Sequence, residues 1–408
     1  MDQASNSFPP SLEIRTTFGA GRSYHSTRSC PSDACILDIS TPYSYTIYKQ
    51  FRNEVCSECF RYDSGRRTFI TQRQHGEDAG LHFCDDKCQA AWLDREGPEA
   101  IQMLRILEES RRRKPEKEAQ SQGELTSPKP DITDSQIEQA WKTVLDNESN
   151  PKERKKWSRI QLDDFEADLA RYVLLALLHL AQELCHHSTS HEEPSTNVPE
   201  SSSAKEQSPD RGHILFGGAT WTSLAALQTN EVHQIKLFPE LLENHIRLYQ
   251  VVKGLFGGKS CSKTRRVDAP RNPGEVNGAE NSRLLWDYLQ QVITVGNVRT
   301  ALGVDAGNSF GIWETPVTDE SELLGFAVYP IPSFFNHHCS PNLRKDRVGR
   351  SLKFVTMRPV CPGDELCISY GHVERMSLNE RRKTLKDGWY FTCGCSRCQV
   401  ESEEVRTV

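Results

Sequence analysis

Residues 333–342 read SFFNHHCSPN. Two phenylalanines lead directly into an asparagine, two histidines and a cysteine. Ser340, Pro341 and Asn342 are ordinary turn formers. They do not account for Asn336, His337 and Cys339 standing together, since histidine and cysteine are metal-capable side chains. The partners for this stretch have to be sought elsewhere in the chain.

The chain has 408 residues, enough for two or three domains and a sizeable core. Its net charge of −6 argues against a mainly electrostatic nucleic-acid binder and suits basic protein partners only weakly. The opening MDQASNSFPP has no basic region followed by an apolar run, so no signal peptide is expected. The most apolar stretch, LARYVLLALLHLAQELC (169–185), carries Arg171, His179, Gln182 and Glu183. It is too short and too polar for a membrane span and is expected to be a core helix of a soluble, intracellular protein.

Eight of the 14 cysteines fall into local groups, counting Cys339 upstream of the last. Cys56 and Cys59 form a C-x2-C pair, Cys84 and Cys88 a C-x3-C pair, and Cys393, Cys395 and Cys398 a C-x-C-x2-C run. Such spacings hold thiolates around one tetrahedral zinc, with Zn–S near ~2.3 Å. The first two pairs together make a four-thiolate site. A segment of this size with so little apolar content needs the metal to fold. His75 and His82 are alternative ligands there, but read better as solvated loop residues. The tail run lacks a fourth ligand, and Cys339 is the natural candidate, with Cys361 as its rival. The scattered Cys30, Cys35, Cys185, Cys261, Cys361 and Cys367 are expected to be small buried hydrophobes.

Charged, Ser-rich or Pro-rich stretches at 111–130, 186–212 and 257–278 separate the rest, and the second is expected to be disordered. Amphipathic helices are predicted over 87–110, 133–147, 163–185, 237–255 and 281–297. Strand-like runs occur only near the two ends: ACILDIS and YSYTIY early, LLGFAVYP and LKFVTMRPV late. That distribution suggests one β-domain interrupted by large insertions.

FNHHCSPNL, then PGDELCISYG (362–371), then C-x-C-x2-C resembles the C-terminal half of SET-domain protein lysine methyltransferases. GNSFGI (307–312) is similar to their upstream strand motif, and FGAGR (18–22) stands where their Gly-x-Gly turn opens the domain. The Cys56–Cys88 segment resembles the MYND insert of the SMYD subfamily, reduced to one zinc, because no cysteine lies between Cys59 and Cys84. The chain runs only ten residues past Cys398, which implies a member without the C-terminal helical domain of animal SMYD proteins.

The resemblance implies an α+β fold: a SET β-fold of small sheets with a knot-like C-terminal crossing, interrupted by a zinc insert and a helical insertion. It divides the chain into an N-terminal SET part (12–55), a one-zinc MYND-like insert (56–97), a helical insertion (98–187) and a linker (188–212). A further helical part (213–300), the C-terminal SET core (301–372) and a post-SET zinc tail (373–400) follow. It implies an S-adenosylmethionine-dependent methyltransferase acting on a protein substrate, histone or other, with two structural zinc ions. Gly19, Gly21, Asn308, Asn336, His337 and Phe391 would bind the cofactor, Asn336 and His337 through backbone and side-chain hydrogen bonds. Tyr370 would be catalytic, and Phe310 and Tyr329 would wall the lysine channel. Cys56, Cys59, Cys84 and Cys88 would hold one zinc, and Cys339, Cys393, Cys395 and Cys398 the other. A monomer in the nucleus or cytoplasm, with no nucleic acid or membrane partner, completes the expectation. The alternative is a catalytically silent SET and zinc scaffold.

Overall fold

The computed structural model describes residues 11–17, 21–69, 76–112, 132–189, 216–257, 273–318 and 320–406. Strands β1 (Leu12–Thr17), β2 (Gly21–Ser26), β3 (Cys35–Ile39) and β4 (Ser44–Ile47) come first. Ten helices follow among the described residues: α1 (Asp86–Glu96), α2 (Pro98–Arg112), α3 (Asp134–Glu148), α4 (Pro151–Trp157), α5 (Asp164–Thr189), α6 (Trp221–Ala225), α7 (Glu231–Leu237), α8 (Glu240–Phe256), α9 (Pro273–Val292) and α10 (Val295–Asn308). Strands β5 (Ser309–Trp313), β6 (Leu323–Val328), β7 (Asn336–His337), β8 (Leu343–Val348), β9 (Ser351–Thr356) and β10 (Cys367–Ile368) precede α11 (Leu378–Trp389) and α12 (Ser396–Arg406).

The chain forms two units. One joins Met1–Pro42 to Tyr329–Val408, so the two ends of the sequence fold together. It contains the hairpin β1-β2, the antiparallel sheet β3-β9-β8 and the parallel pair β7-β10. A parallel pair cannot be closed by a hairpin, and the β8-β9 hairpin lies in the crossover. Tyr24, Phe335 and Phe354 fill its centre, with ring centroids 4.9 and 4.7 Å apart in sequence. The four strand-like runs of the sequence are β3, β4, β6 and β9; the short β7 and β10 carry too few residues to show a period.

The other unit, Tyr43–Val328, holds the sheet β4-β6-β5 and α1–α10. Its axis is α5, the apolar stretch expected to be a core helix; Leu174, Ala176, Leu177 and Leu178 are wholly buried. The helix starts at a reciprocal cap, with the Glu166 amide donating to Asp163 Oδ1 and the Asp163 amide to Glu166 Oε2, both at 2.8 Å. The helix predicted over 87–110 is two, because Gly97 takes φ +83° and Pro98 begins the next.

The zinc insert is fastened to this unit by buried polar contacts. Arg171 on α5 donates to the Ala79 carbonyl at 2.7 Å and to Glu108 Oε1 at 3.0 Å. Arg52 donates to the same carboxylate at 2.6 Å and pairs with Asp168. The Trp92 indole donates to the Tyr45 hydroxyl at 2.7 Å, which donates to the Ser57 carbonyl at 2.9 Å. Every donor here has an acceptor, which is what makes such burial tolerable. No helix of the described residues is long and apolar enough to cross a membrane.

Candidate active site and metal centres

The opening stretch now has a local explanation. Phe334 and Phe335 are buried, and their rings pack on Tyr24 with centroids 5.8 and 4.9 Å away. That anchor delivers Asn336 and His337 into β7, opposite Cys367 and Ile368 of β10. Asn342 is more than a turn former. It is buried, donates from Nδ2 to the Glu365 carbonyl and accepts the Cys367 amide, both at 2.8 Å. One amide side chain thus ties the NHHCSPN loop to GDELC, and Tyr370 follows two residues after β10.

Tyr370 lies against His337, with ring centroids 5.4 Å apart, and edge-on to Phe391 at 6.3 Å. Its hydroxyl donates to the Phe335 carbonyl at 2.7 Å. Its backbone amide donates to His337 Nδ1 at 2.9 Å. The other ring nitrogen, Nε2, is 3.2 Å from Cys339 Sγ. Both nitrogens of His337 are therefore engaged within the protein, so a ligand would meet its backbone and not its ring. Burial holds the imidazole down at about 4, hence neutral, and pushes the Tyr370 phenol well above its usual value.

Two residues of this site were not singled out from sequence. Trp389, at the end of α11, tilts over Tyr370 with centroids 5.6 Å apart. Gly371 makes this approach possible: a Cβ there would stand 2.9 Å from the indole Cη2, and φ is +66°. Glu365 accepts from Asn336 Nδ2 at 3.1 Å. A carboxylate can only accept, so this contact also fixes which end of the Asn336 amide faces it. The available signals were WYF just before the tail cysteines and the acidic pair in PGDEL.

Both four-cysteine groups assemble. In each, the four sulfurs lie within 4.8 Å of one another. A tetrahedron with Zn–S of ~2.3 Å has edges of about 3.8 Å. Cys339 is 3.8 Å from Cys393 and 3.5 Å from Cys398. Cys84 is 3.7 Å from Cys59 and 3.5 Å from Cys88. Both groups fit zinc, and Cys339, not the exposed Cys361, completes the tail site. The Cys395 amide donates to Cys393 Sγ, and Arg381 Nη2 donates to Cys398 Sγ, each at 3.5 Å. That guanidinium is fully buried and also donates to the Met376 carbonyl and Glu401. It offsets the negative charge that four thiolates leave on a zinc.

Some cysteine and histidine expectations need correction. His82 is not a solvated loop residue: it is buried, with Nδ1 2.8 Å from the Phe69 carbonyl and its backbone bonded to Ser57, because the loop folds back onto the insert rather than into water. It belongs to no metal-capable group either. Cys30 and Cys367 are buried as expected, but Cys35 and Cys361 are exposed and Cys185 is partly so. Cys35 starts a strand and Cys361 sits in a turn, where no layer covers them. Cys261 and His75 lie outside the described residues.

The remaining site candidates divide between the two units. Gly19 lies outside the described residues, while Gly21 has φ +74°, a conformation that requires glycine without any crowding of its Cβ. Tyr329 is buried, and its hydroxyl donates to the Arg350 carbonyl at 2.6 Å. Asn308 and Phe310 belong to the unit Tyr43–Val328. There Asn308 Nδ2 donates to the Gln228 and Val304 carbonyls at 2.9 and 2.8 Å, and Phe310 pairs with Ala327 across β5-β6.

The family model for the SET domain matches residues 26–371. The chain is 24% identical over 425 residues to the Saccharomyces cerevisiae protein named potential protein lysine methyltransferase SET6, covering 97% of each. It is 39% identical over 98 residues, 24% of each chain, to a SET and MYND domain-containing protein of Dictyostelium discoideum. It is 36% identical over 97 residues to the mouse histone-lysine N-methyltransferase SMYD3, covering 24% of this chain and 22% of that one.

Proposed function

This chain belongs to the SET-domain family, and we propose that it is a SMYD-like, S-adenosylmethionine-dependent protein-lysine N-methyltransferase acting on histone or non-histone lysines. The observation that carries this reading is the convergence of Asn336, His337, Tyr370 and Phe391 beside a four-cysteine tail within one unit. The name of the yeast relative that aligns along nearly the whole chain supports it.

When bound, S-adenosylmethionine supplies an electrophilic methyl group on a sulfonium. The acceptor must be a neutral amine, although free lysine titrates near ~10.4. A neighbouring cation and a dry channel both lower that value, so no dedicated general base is needed. Tyr370 is suited to orienting such an amine. Burial keeps its phenol protonated, and its hydrogen is committed to the Phe335 carbonyl. The oxygen lone pairs then remain as acceptors, for the amine and for weak C–H···O contacts to a partly positive methyl. Most of the rate would come from such positioning. Asn336 and the His337 backbone would hold the cofactor, with Phe391 packed on its adenine. We extend the proposal to a monomer working in the nucleus or cytoplasm on a protein partner alone.

Calorimetric titration with S-adenosylmethionine, followed by transfer of labelled methyl to protein lysines, tests it. Saturable one-site binding and labelled methyl-lysine are expected. A protein with both zinc sites loaded that shows neither would overturn the enzyme reading and leave the scaffold. Comparison of methyl-lysine across the proteome with and without the protein would then name the substrate.

A further inference from the structure

Between the tail cysteines and Tyr370 stands one imidazole with a determined hydrogen-bond direction. His337 Nδ1 lies 2.9 Å from the Tyr370 amide nitrogen, which can only donate. Nδ1 must therefore present its lone pair, and the hydrogen of the neutral ring sits on Nε2. That N–H is aimed at Cys339 Sγ, 3.2 Å away. Cys339 is itself buried and is the tail-site ligand drawn from the NHHCSPN loop.

We propose that His337 is a positioning residue that couples the tail metal site to the catalytic tyrosine: its Nε2–H holds the Cys339 thiolate while its Nδ1 holds the Tyr370 backbone. A metal keeps Cys339 as a thiolate, a strong acceptor for an N–H donor. With the acceptor in place the ring has one orientation and one tautomer, and the Tyr370 amide has a fixed partner. The phenol is then anchored at both ends, by its amide to His337 and by its hydroxyl to Phe335. Losing the metal frees Cys339 Sγ from its fixed place beside Nε2 and loosens the first link. A ligand's hydrogen-bond partner set in this way usually changes metal affinity by about 10- to 100-fold when it is removed.

The inference deepens the methyltransferase reading and rests on it only for the word catalytic. The coupling is read without cofactor or activity, from zinc release to a chromogenic chelator and from hydrogen exchange resolved at the Tyr370 amide. His337→Asn keeps an acceptor near the Nδ1 position and deletes the donor to sulfur. One of two zinc equivalents should then leave about tenfold faster or more, with Tyr370 exchange near the parent's while metal is bound. His337→Gln places an amide near the Nε2 position and abandons the Tyr370 amide. Zinc release should stay near the parent's, Tyr370 exchange should rise about tenfold, and kcat should fall more than the cofactor KM rises. Chelating the tail zinc from the unaltered protein should likewise speed Tyr370 exchange, a test that needs no variant to fold. Parental zinc release in His337→Asn would cut the sulfur link, and parental Tyr370 exchange in His337→Gln or after chelation would cut the tyrosine link. Either result overturns the proposal. Absence of cofactor binding in the parent, with both links intact, would instead overturn the methyltransferase reading.

Discussion

The hydroxyl of Tyr370 donates to the carbonyl of Phe335 at 2.7 Å, so the catalytic candidate is oriented by the same phenylalanine that anchors the NHHCSPN loop in the core. Tyr370→Phe keeps the ring between His337, Trp389 and Phe391 and removes only the oxygen. Cofactor affinity should persist, while methyl transfer falls a hundredfold or more, roughly 2.7 kcal/mol of transition-state stabilisation. Stability should drop by only about 1 kcal/mol, for one lost hydrogen bond. Parental turnover of Tyr370→Phe on a verified substrate would remove the phenol from the mechanism.

What could be read in the sequence was what is local or carries a rigid spacing. The two cysteine sets, the long apolar α5 and the four β-rich runs all have short-range signatures. The contacts that build the site do not. Asn342 looks like a turn former until the structure shows it holding the Glu365 carbonyl and the Cys367 amide, 23 and 25 residues away. Trp389 reads as a helix-end aromatic, and only the fold lays it over Tyr370. The break at Gly97-Pro98 was legible in principle, but the apolar period continues across it and outweighed the breaker. His82 reads as polar loop, and its burial comes with contacts to Ser57 and Phe69, 25 and 13 residues away.

Two zinc ions per chain are expected from the two four-cysteine groups. Elemental analysis of purified protein should give close to two, and Cys84→Ala or Cys398→Ala close to one each. Chelation should loosen the loops carrying Cys56–Cys59 and Cys84–Cys88, while the buried Phe60, Leu81, Phe83 and Trp92 stay packed and α5 and its neighbours keep their helical signal. A content near zero or four in the parent would refute the assignment.

Asp305, partly buried near the end of α10, is pushed up to about 7 because burial disfavours its charged form more than the Ser309 contact favours it. A carboxyl raised above its unfolded value of ~3.9 contributes stability below that value. The contribution is lost as pH climbs through about 7. The parent should thus lose on the order of 1–3 kcal/mol between about pH 4 and pH 8 through this group. Asp305→Asn should be flatter over that window and more stable than the parent at pH 8. Parallel stability curves for the two proteins in denaturant, measured across that range, would show that burial does not govern this carboxyl.

Arg381 offers the sharpest separation of charge from packing in the tail. Its side chain is fully buried, and its guanidinium meets Cys398 Sγ at 3.5 Å, Glu401 at 2.7 Å and the Met376 carbonyl at 2.8 Å. A zinc with four thiolates carries a net charge of −2, and nothing else cationic is seen to donate to these sulfurs among the described residues. Arg381→Met keeps much of the stem, leaves the thiolates without their cation and leaves Glu401 with Arg397 alone. Removing one side of a buried charge pairing costs roughly 3–5 kcal/mol. Arg381→Lys restores the charge at one point but not the fork that reaches three acceptors, so it should recover only part of the loss. Double replacement with Glu401→Gln adds a second comparison. If the cost comes from the stranded carboxylate, Glu401→Gln should rescue Arg381→Met; if it comes from the thiolates, rescue should be small and tail-zinc release should stay fast. The second outcome is expected, because Glu401 is partly solvated and also paired with Arg397. Full rescue by Glu401→Gln, with zinc release back to the parental rate, would show that Arg381 serves the α11–α12 contact and not the metal site.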